Sequence, residues 1–111
     1  MTYPIDRSYY RIHYPLKERP VLELETGVHD VVDCSEAGLR YVARGAGVPD
    51  IGAQIRGTLR FRRGAAFEVG GTVVRLQEGT VAVHLLRARI PLAAILDEQR
   101  YLRKHYPMLQ A

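Results

Sequence analysis

Two arginines near the start of the chain and a short polar segment after them are the residues best able to bind a ligand. Arg7 and Arg11 stand four positions apart, and the segment Asp33–Gly38 reads D-C-S-E-A-G. A carboxylate, a hydroxyl and a glycine so close together can form a tight polar turn, and glycine lets the backbone approach a ligand because it carries no Cβ. We therefore interpret this segment as an anion-binding loop at the protein surface.

The arginines narrow the kind of ligand. A guanidinium group donates two parallel hydrogen bonds to phosphate oxygens or to the O6/N7 edge of guanine, and it also stacks on flat rings. Two such groups on an extended arm could close over the polar loop. The combination predicts a ligand that carries both phosphates and guanines, which is a guanine nucleotide.

Together the two patterns resemble the PilZ domain family, whose signature motifs are R-x-x-x-R near the N-terminus and [D/N]-x-S-x-x-G further along. Both are present here in that order, and the resemblance covers nearly the whole chain. It implies an all-β fold, a small antiparallel six-stranded split β-barrel with a C-terminal α-helix, that binds the bacterial second messenger cyclic di-GMP. It also implies that Arg7 and Arg11 clamp phosphates and guanine while the other side of the ligand is held by Asp33, Ser35 and Gly38.

The two motifs differ in specificity. The arginine spacing recurs at Arg40/Arg44 and at Arg56/Arg60, whereas the second motif needs a serine, and the chain has only two. The polar loop therefore carries the identification. The alternative interpretation is that these residues bind no ligand. The arginines would then be solvated surface charges, and the loop would hold an Asx turn, a serine cap and a left-handed glycine for structural reasons alone.

Length and composition favour one small domain. The chain has 111 residues, of which 47% are hydrophobic, enough for a single core. Its net charge of +4 agrees with an anionic partner, although fourteen Arg against two Lys is equally expected from a GC-rich genome. A single cysteine excludes an intrachain disulfide, and no signal peptide or membrane span is visible, so we expect a cytoplasmic protein.

The hydrophobic pattern divides the chain into an arm, a run of strands and a helix. Residues 1–20 mix tyrosines with prolines and predict an extended arm. Residues 21–89 alternate between apolar and polar side chains and are broken by glycine turns, which predicts a barrel or sandwich, and the family resemblance selects the barrel. Residues 90–107, after Pro91, repeat apolar residues at helical spacing. We expect this helix to dock on the barrel, the alternative being a partner's groove.

Other candidate chemistry is sparse. The four histidines are scattered and no metal-ligand spacing or catalytic motif is present, so the sequence predicts neither an enzyme nor a metal or cofactor site. Cys34 is expected to fill the core on the side of its strand opposite the ligand. Asp97 and Glu98 are expected on a solvated helix face. If its strand face meets the arm, Arg75 is a candidate additional ligand-binding residue.

These observations favour a cyclic di-GMP receptor that signals to an unidentified protein partner through a ligand-induced change in the arm, in pathways such as biofilm formation and motility. The alternative is a PilZ-like adaptor that binds no ligand and acts through protein contacts in pilus assembly or motility. A third hypothesis, a basic barrel that binds single-stranded nucleic acid, is less favoured because that function needs no D-x-S-x-x-G loop.

Overall fold

A computed structural model describes residues 11–109, and Arg7 lies outside the described residues. The described part forms seven β-strands, one α-helix and three short 3₁₀ turns. The strands are β1 (Ile12–His13), β2 (Val21–Leu24), β3 (Gly27–Ser35), β4 (Gly38–Val42), β5 (Gln54–Arg60), β6 (Ala66–Gln77) and β7 (Thr80–Ala88), the helix is α1 (Leu92–His105), and the 3₁₀ turns are Leu16–Glu18, Gly45–Gly47 and Pro107–Leu109.

Six of these strands close into a barrel. Their order is β3-β2-β5-β6-β7-β4, every pairing is antiparallel, and β4 pairs back with β3. The hairpin from β6 to β7 turns through Glu78 and Gly79, both with positive φ, the combination that a type I′ turn between twisted strands uses. The predicted fold class, a six-stranded antiparallel barrel with a C-terminal helix, is confirmed.

Strand β1 is not one of the six barrel strands, but it pairs with the end of β3. Ile12 pairs with Cys34, and the amide of Tyr14 donates to the carbonyl of Val32 at 3.0 Å. Further along the same edge of β3, Val21 pairs with Asp30. Strands β1 and β2 therefore lie end to end beside β3, and residues 15–19 loop out between them.

The core follows from the alternation of apolar side chains along the strands. Helix α1 packs against β1 and β3 and adds Ile95 and Leu102 to the core. The inward-facing side chains of the barrel are apolar and buried, among them Leu22, Val31, Cys34, Leu39, Tyr41, Leu59, Val69, Val73, Val81, Val83 and Leu85. The outer face of the strands is left for polar residues.

Candidate ligand-binding site

A β-bulge in β3 decides which way the second motif faces. Val31 pairs with Tyr41, but Asp33 pairs with Arg40, so Val32 is an extra residue in the strand. Strict alternation would place Asp33 on the same side as the buried Val31. Because the bulge reverses the alternation, Cys34 enters the core instead, and Asp33 turns to the outer face.

The expectation that the second motif forms a surface loop is wrong. Asp33 and Ser35 lie within the last three residues of β3, and Gly38 is the first residue of β4. A two-residue turn connects the two strands. The Asp33 and Ser35 residues are each only 2% exposed. The motif is therefore part of the barrel wall.

Asp33 is the centre of a cluster of basic side chains. Its Oδ1 accepts a short ionic hydrogen bond from Nη1 of Arg11, while its Oδ2 lies 2.8 Å from Nη2 and 3.0 Å from Nε of Arg40. The Nδ1 atom of His13 lies 3.8 Å from the same Oδ2. The two guanidinium side chains are 44% and 30% exposed, so donors that Asp33 does not use face solvent. One buried carboxylate thus holds two half-exposed cations side by side.

Gly38 is required by close packing and not by its backbone conformation. A Cβ at this position would lie 3.3 Å from Nη2 of Arg11 and 3.3 Å from the carbonyl oxygen of Val83. The hydroxyl oxygen of Ser35 is 3.9 Å from the same point. Gly38 is not among the glycines with positive φ, so the left-handed turn considered from the sequence is wrong. The fold therefore brings together Arg11, Asp33, Ser35 and Gly38.

The strand register extends this cluster into two polar rows across the outer face. We call these rows the outer polar face. Residues paired directly across neighbouring strands point to the same side of the sheet. The first row runs His13, Asp33, Arg40, Ala82, Arg75, and the second runs Ser35, Gly38, His84, Thr72, Gln54.

The first row gives Arg75 a defined relation to the motif. Only Ala82 of β7 separates it from Arg40, and neighbouring strands lie about 4.8 Å apart, so the two arginine backbones are about 10 Å apart. Arg75 is exposed, and alanine is too small to stand between the two side chains. A flat anionic ligand on this face could therefore meet cations on both sides.

Some residues of the outer polar face lie outside both motifs, and the alternation of apolar residues in the sequence indicates which way they point. The alternation of buried Val81, Val83 and Leu85 along β7 places Ala82 and His84 on the opposite side. Nε2 of Gln54 donates a hydrogen bond to Oγ1 of Thr72 at 3.2 Å, which joins β5 to β6. The alternation predicts which side these residues share, but not that β7 and β6 follow β4 around the barrel.

Beyond Gln54 the outer face opens into a cavity of about 550 Å³. The guanidinium-bearing residue of its lining is Arg56, whereas Arg60, on the same strand, pairs with Glu23 at 2.7 Å. The cavity is lined by Gln54, Ile55, Arg56, Gly70, Gly71, Leu86 and Ala88. Arg56 and Arg60 on β5 have the same spacing as Arg7 and Arg11. Of this pair, Arg60 is engaged by Glu23 at a distance from Asp33, Ser35 and Gly38.

Cys34 occupies the core, as the sequence predicts. Its side chain is fully buried, and its Sγ lies 3.7 Å from the hydroxyl oxygen of Tyr14. Burial is the main cause that raises the pKa of the thiol to about 12. The residue is therefore a small apolar filler behind the outer face of β3.

We expect the Cys34 thiol to be inert in the native protein. Near pH 8, where an ordinary cysteine is partly thiolate, iodoacetamide should leave the folded chain unmodified and alkylate it fully in concentrated urea, as followed by mass spectrometry. Rapid alkylation without denaturant would contradict the position of Cys34 in the core.

Residues 11–109 were searched for metal-ligand clusters and for membrane-spanning helices. In this part of the chain no cluster of three or more His, Cys, Asp or Glu side chains is placed to hold a metal ion. None of its helices has the length and apolar character needed to cross a bilayer.

Comparisons with known proteins agree with this architecture. A sequence profile of the PilZ domain matches residues 5–103. The fold is similar to the PilZ domain of YcgR from Escherichia coli, solved with c-di-GMP, with a TM-score of 0.68 and 16% identity over 89% of this chain and 95% of that one. It is also similar to the uncharacterised Legionella protein Lpg0364, with a TM-score of 0.61 and 18% identity over 86% of this chain and 99% of that one. A search of curated proteins gave no significant match.

Proposed function

Because this chain belongs to the PilZ domain family, we propose that it is a receptor for cyclic di-GMP that reports occupancy of its site to a protein partner. The similar E. coli domain was solved with that ligand, and both family motifs are intact here. The proposal assigns the ligand to the outer polar face, beside Asp33.

One observation supports this proposal above all: Asp33 holds Arg11 and Arg40 together next to Gly38. A phosphate needs several donors at once, and the free N–H groups of two neighbouring guanidiniums supply them. Since glycine places no side chain between them, a ligand can approach the backbone of β4 at this point. Ser35 adds a hydroxyl beneath the same spot.

The remaining roles follow from position. Arg11 would contact phosphate and guanine from the arm, together with Arg7, which lies outside the described residues. Asp33, Ser35 and Gly38 would support the other side of the ligand. Arg75 would contribute from the far side of Ala82, where the strand register directs it toward the same face.

The salt bridges that exist without ligand favour binding. Arg11 is already held on Asp33, so its side chain loses less freedom when a ligand arrives than a free arginine would. The carboxylate occupies some donors of Arg11 and Arg40, and their other N–H groups are left for a phosphate. Because Asp33 carries one negative charge against two cations, the pair still attracts an anion.

Calorimetric titration with cyclic di-GMP tests the proposal. We expect binding with a dissociation constant of micromolar or below, since several charge-assisted contacts of about 1.5–3 kcal/mol each are available. Cyclic di-AMP is the matched control, because it keeps the phosphates and lacks the guanine O6 acceptor.

The outcomes separate the alternatives. A flat trace at high ligand concentration would overturn the receptor and favour the adaptor that acts by protein contacts alone. Equal affinity for both dinucleotides would contradict guanine recognition. Displacement of cyclic di-GMP by a single-stranded oligonucleotide at equal concentration would favour the nucleic-acid hypothesis.

A further inference from the structure

A buried hydrogen bond links the arm to the C-terminal helix. The hydroxyl of Tyr14, three residues after Arg11, donates to Oε1 of Glu98 on α1 at 2.7 Å. Both residues are buried, Tyr14 being 7% and Glu98 3% exposed. The expectation that Glu98 lies on a solvated face is therefore wrong, although its neighbour Asp97 is exposed and pairs with Arg100.

The charge of Glu98 is compensated by an arginine from another part of the barrel. Oε2 of Glu98 accepts hydrogen bonds from Arg63, which follows β5, at 3.0 Å from Nε and in a short contact from Nη2. The same guanidinium lies 3.7 Å from the ring centre of Tyr101 and 3.5 Å from a carboxylate oxygen of Glu18. A buried carboxylate with these partners is fixed in place, and losing one of them is costly.

The backbone attachment of the arm to the sheet is short. Strand β1 has two residues and pairs only with β3, and such a short edge strand is marginal on its own. The chain leaves the sheet directly after Tyr14, at Pro15, which has no N–H to donate. The Tyr14–Glu98 bond therefore ties this part of the arm to α1, in addition to the burial of Ile12 and Tyr14 in the core and the Arg11–Asp33 salt bridge.

The environment of Tyr14 keeps its hydroxyl protonated, so that it can donate to Glu98. Burial, followed by the neighbouring Cys34 and Glu98, raises the pKa of the phenol far above its ordinary value. The hydroxyl stays protonated throughout the pH range in which the protein is expected to function. The phenol is therefore available as a donor to Glu98 on α1.

We propose that Tyr14, Glu98 and Arg63 are positioning residues for the ligand site, and that α1 docking and ligand binding are coupled through them. This rests on the proposed function, because it assigns the coupling to the cyclic di-GMP site. When α1 is seated, Glu98 holds Tyr14, and Tyr14 holds the arm that carries Arg11. By reciprocity, a ligand that orders the arm strengthens the seating of α1 by the same factor.

Tyr14→Phe is the principal test because it removes one hydroxyl and keeps the buried ring. In the free protein, hydrogen exchange at the Tyr14 amide, which donates to Val32, should accelerate about three- to thirtyfold, and cyclic di-GMP affinity should fall by a similar factor. Asp97→Asn is the matched control on the same helix and should change neither quantity, because its carboxylate is exposed and pairs only within α1.

Glu98→Gln supplies a second variant of similar shape. Combined with Tyr14→Phe, it should lower affinity by less than the product of the two single effects, because exchanging the carboxylate for a neutral amide weakens the same bond that Tyr14→Phe removes. In the parent, cyclic di-GMP should slow hydrogen exchange in α1. A merely structural role for the bond would leave this ligand effect unchanged in Tyr14→Phe, whereas coupling predicts that it shrinks.

Each outcome has one meaning. Faster exchange at Tyr14 with unchanged ligand affinity would overturn the coupling while leaving the receptor intact. If Glu98→Gln fails to fold, Tyr14→Phe alone decides the question. If the parent binds no cyclic di-GMP, the proposed function fails, and unchanged exchange at Tyr14 in the phenylalanine variant would then overturn the positioning role as well.

Discussion

Replacing Arg11 by alanine is expected to weaken cyclic di-GMP binding about tenfold to a hundredfold, which corresponds to the loss of one charge-assisted contact of roughly 1.5–3 kcal/mol. The fold should survive, because Asp33 keeps its contacts with Arg40 and does not become an unpaired buried charge. Titration calorimetry measures the affinity, and urea unfolding measures stability on the same sample.

Arg60→Ala is the matched control for this experiment. Arg60 is also half-exposed and also paired with an acidic side chain, Glu23, but it lies on β5 away from the outer polar face. Both variants lose one positive charge, so the control removes the effect of net charge on an anionic ligand. Equal losses of affinity in the two variants would show that Arg11 acts only through overall charge and would remove it from the site.

Gly38→Val should damage both binding and stability. The new Cβ would lie 3.3 Å from the carbonyl oxygen of Val83, a backbone atom that cannot move freely, and 3.3 Å from the Arg11 guanidinium. Overpacking of this kind costs about 1–3 kcal/mol. The branched side chain also displaces Arg11 and fills the space above β4, so we expect affinity to fall at least tenfold beyond any effect of unfolding.

Gly70→Val is the control for a β-branched residue in place of a strand glycine. At Gly70 a Cβ would meet only the carbonyl oxygen of Ile55, at 3.6 Å, an ordinary contact, and valine favours strands. Its stability should therefore stay within about 1 kcal/mol of the parent value or rise. Native affinity and stability in Gly38→Val would mean that the close approach of Arg11 to β4 is not needed by the protein.

Local patterns in the sequence were enough to predict the strands and the helix and to identify the two motifs. Alternating side chains predict strands because successive residues point to opposite faces. The apolar repeat after Pro91 predicts a helix within residues 90–107, and the structure has a helix at Leu92–His105. The D-x-S-x-x-G motif, read with the arginines, indicated the family that the profile match over residues 5–103 confirms. The assignment of ligand contacts to Arg7, Arg11, Asp33, Ser35, Gly38 and Arg75 stays a prediction.

Tertiary structure alone decided how these parts face one another. The bulge at Val32 depends on how β3 pairs with β4, and it determines whether Asp33 or Cys34 enters the core. Arg40 becomes a partner of Asp33 only through that register, and Arg75 joins their face only because β7 lies between β4 and β6. Glu98 is buried because Tyr14 and Arg63, far away in sequence, converge on it. Such pairings are made between distant residues, so no local pattern of charge or hydrophobicity can encode them on its own.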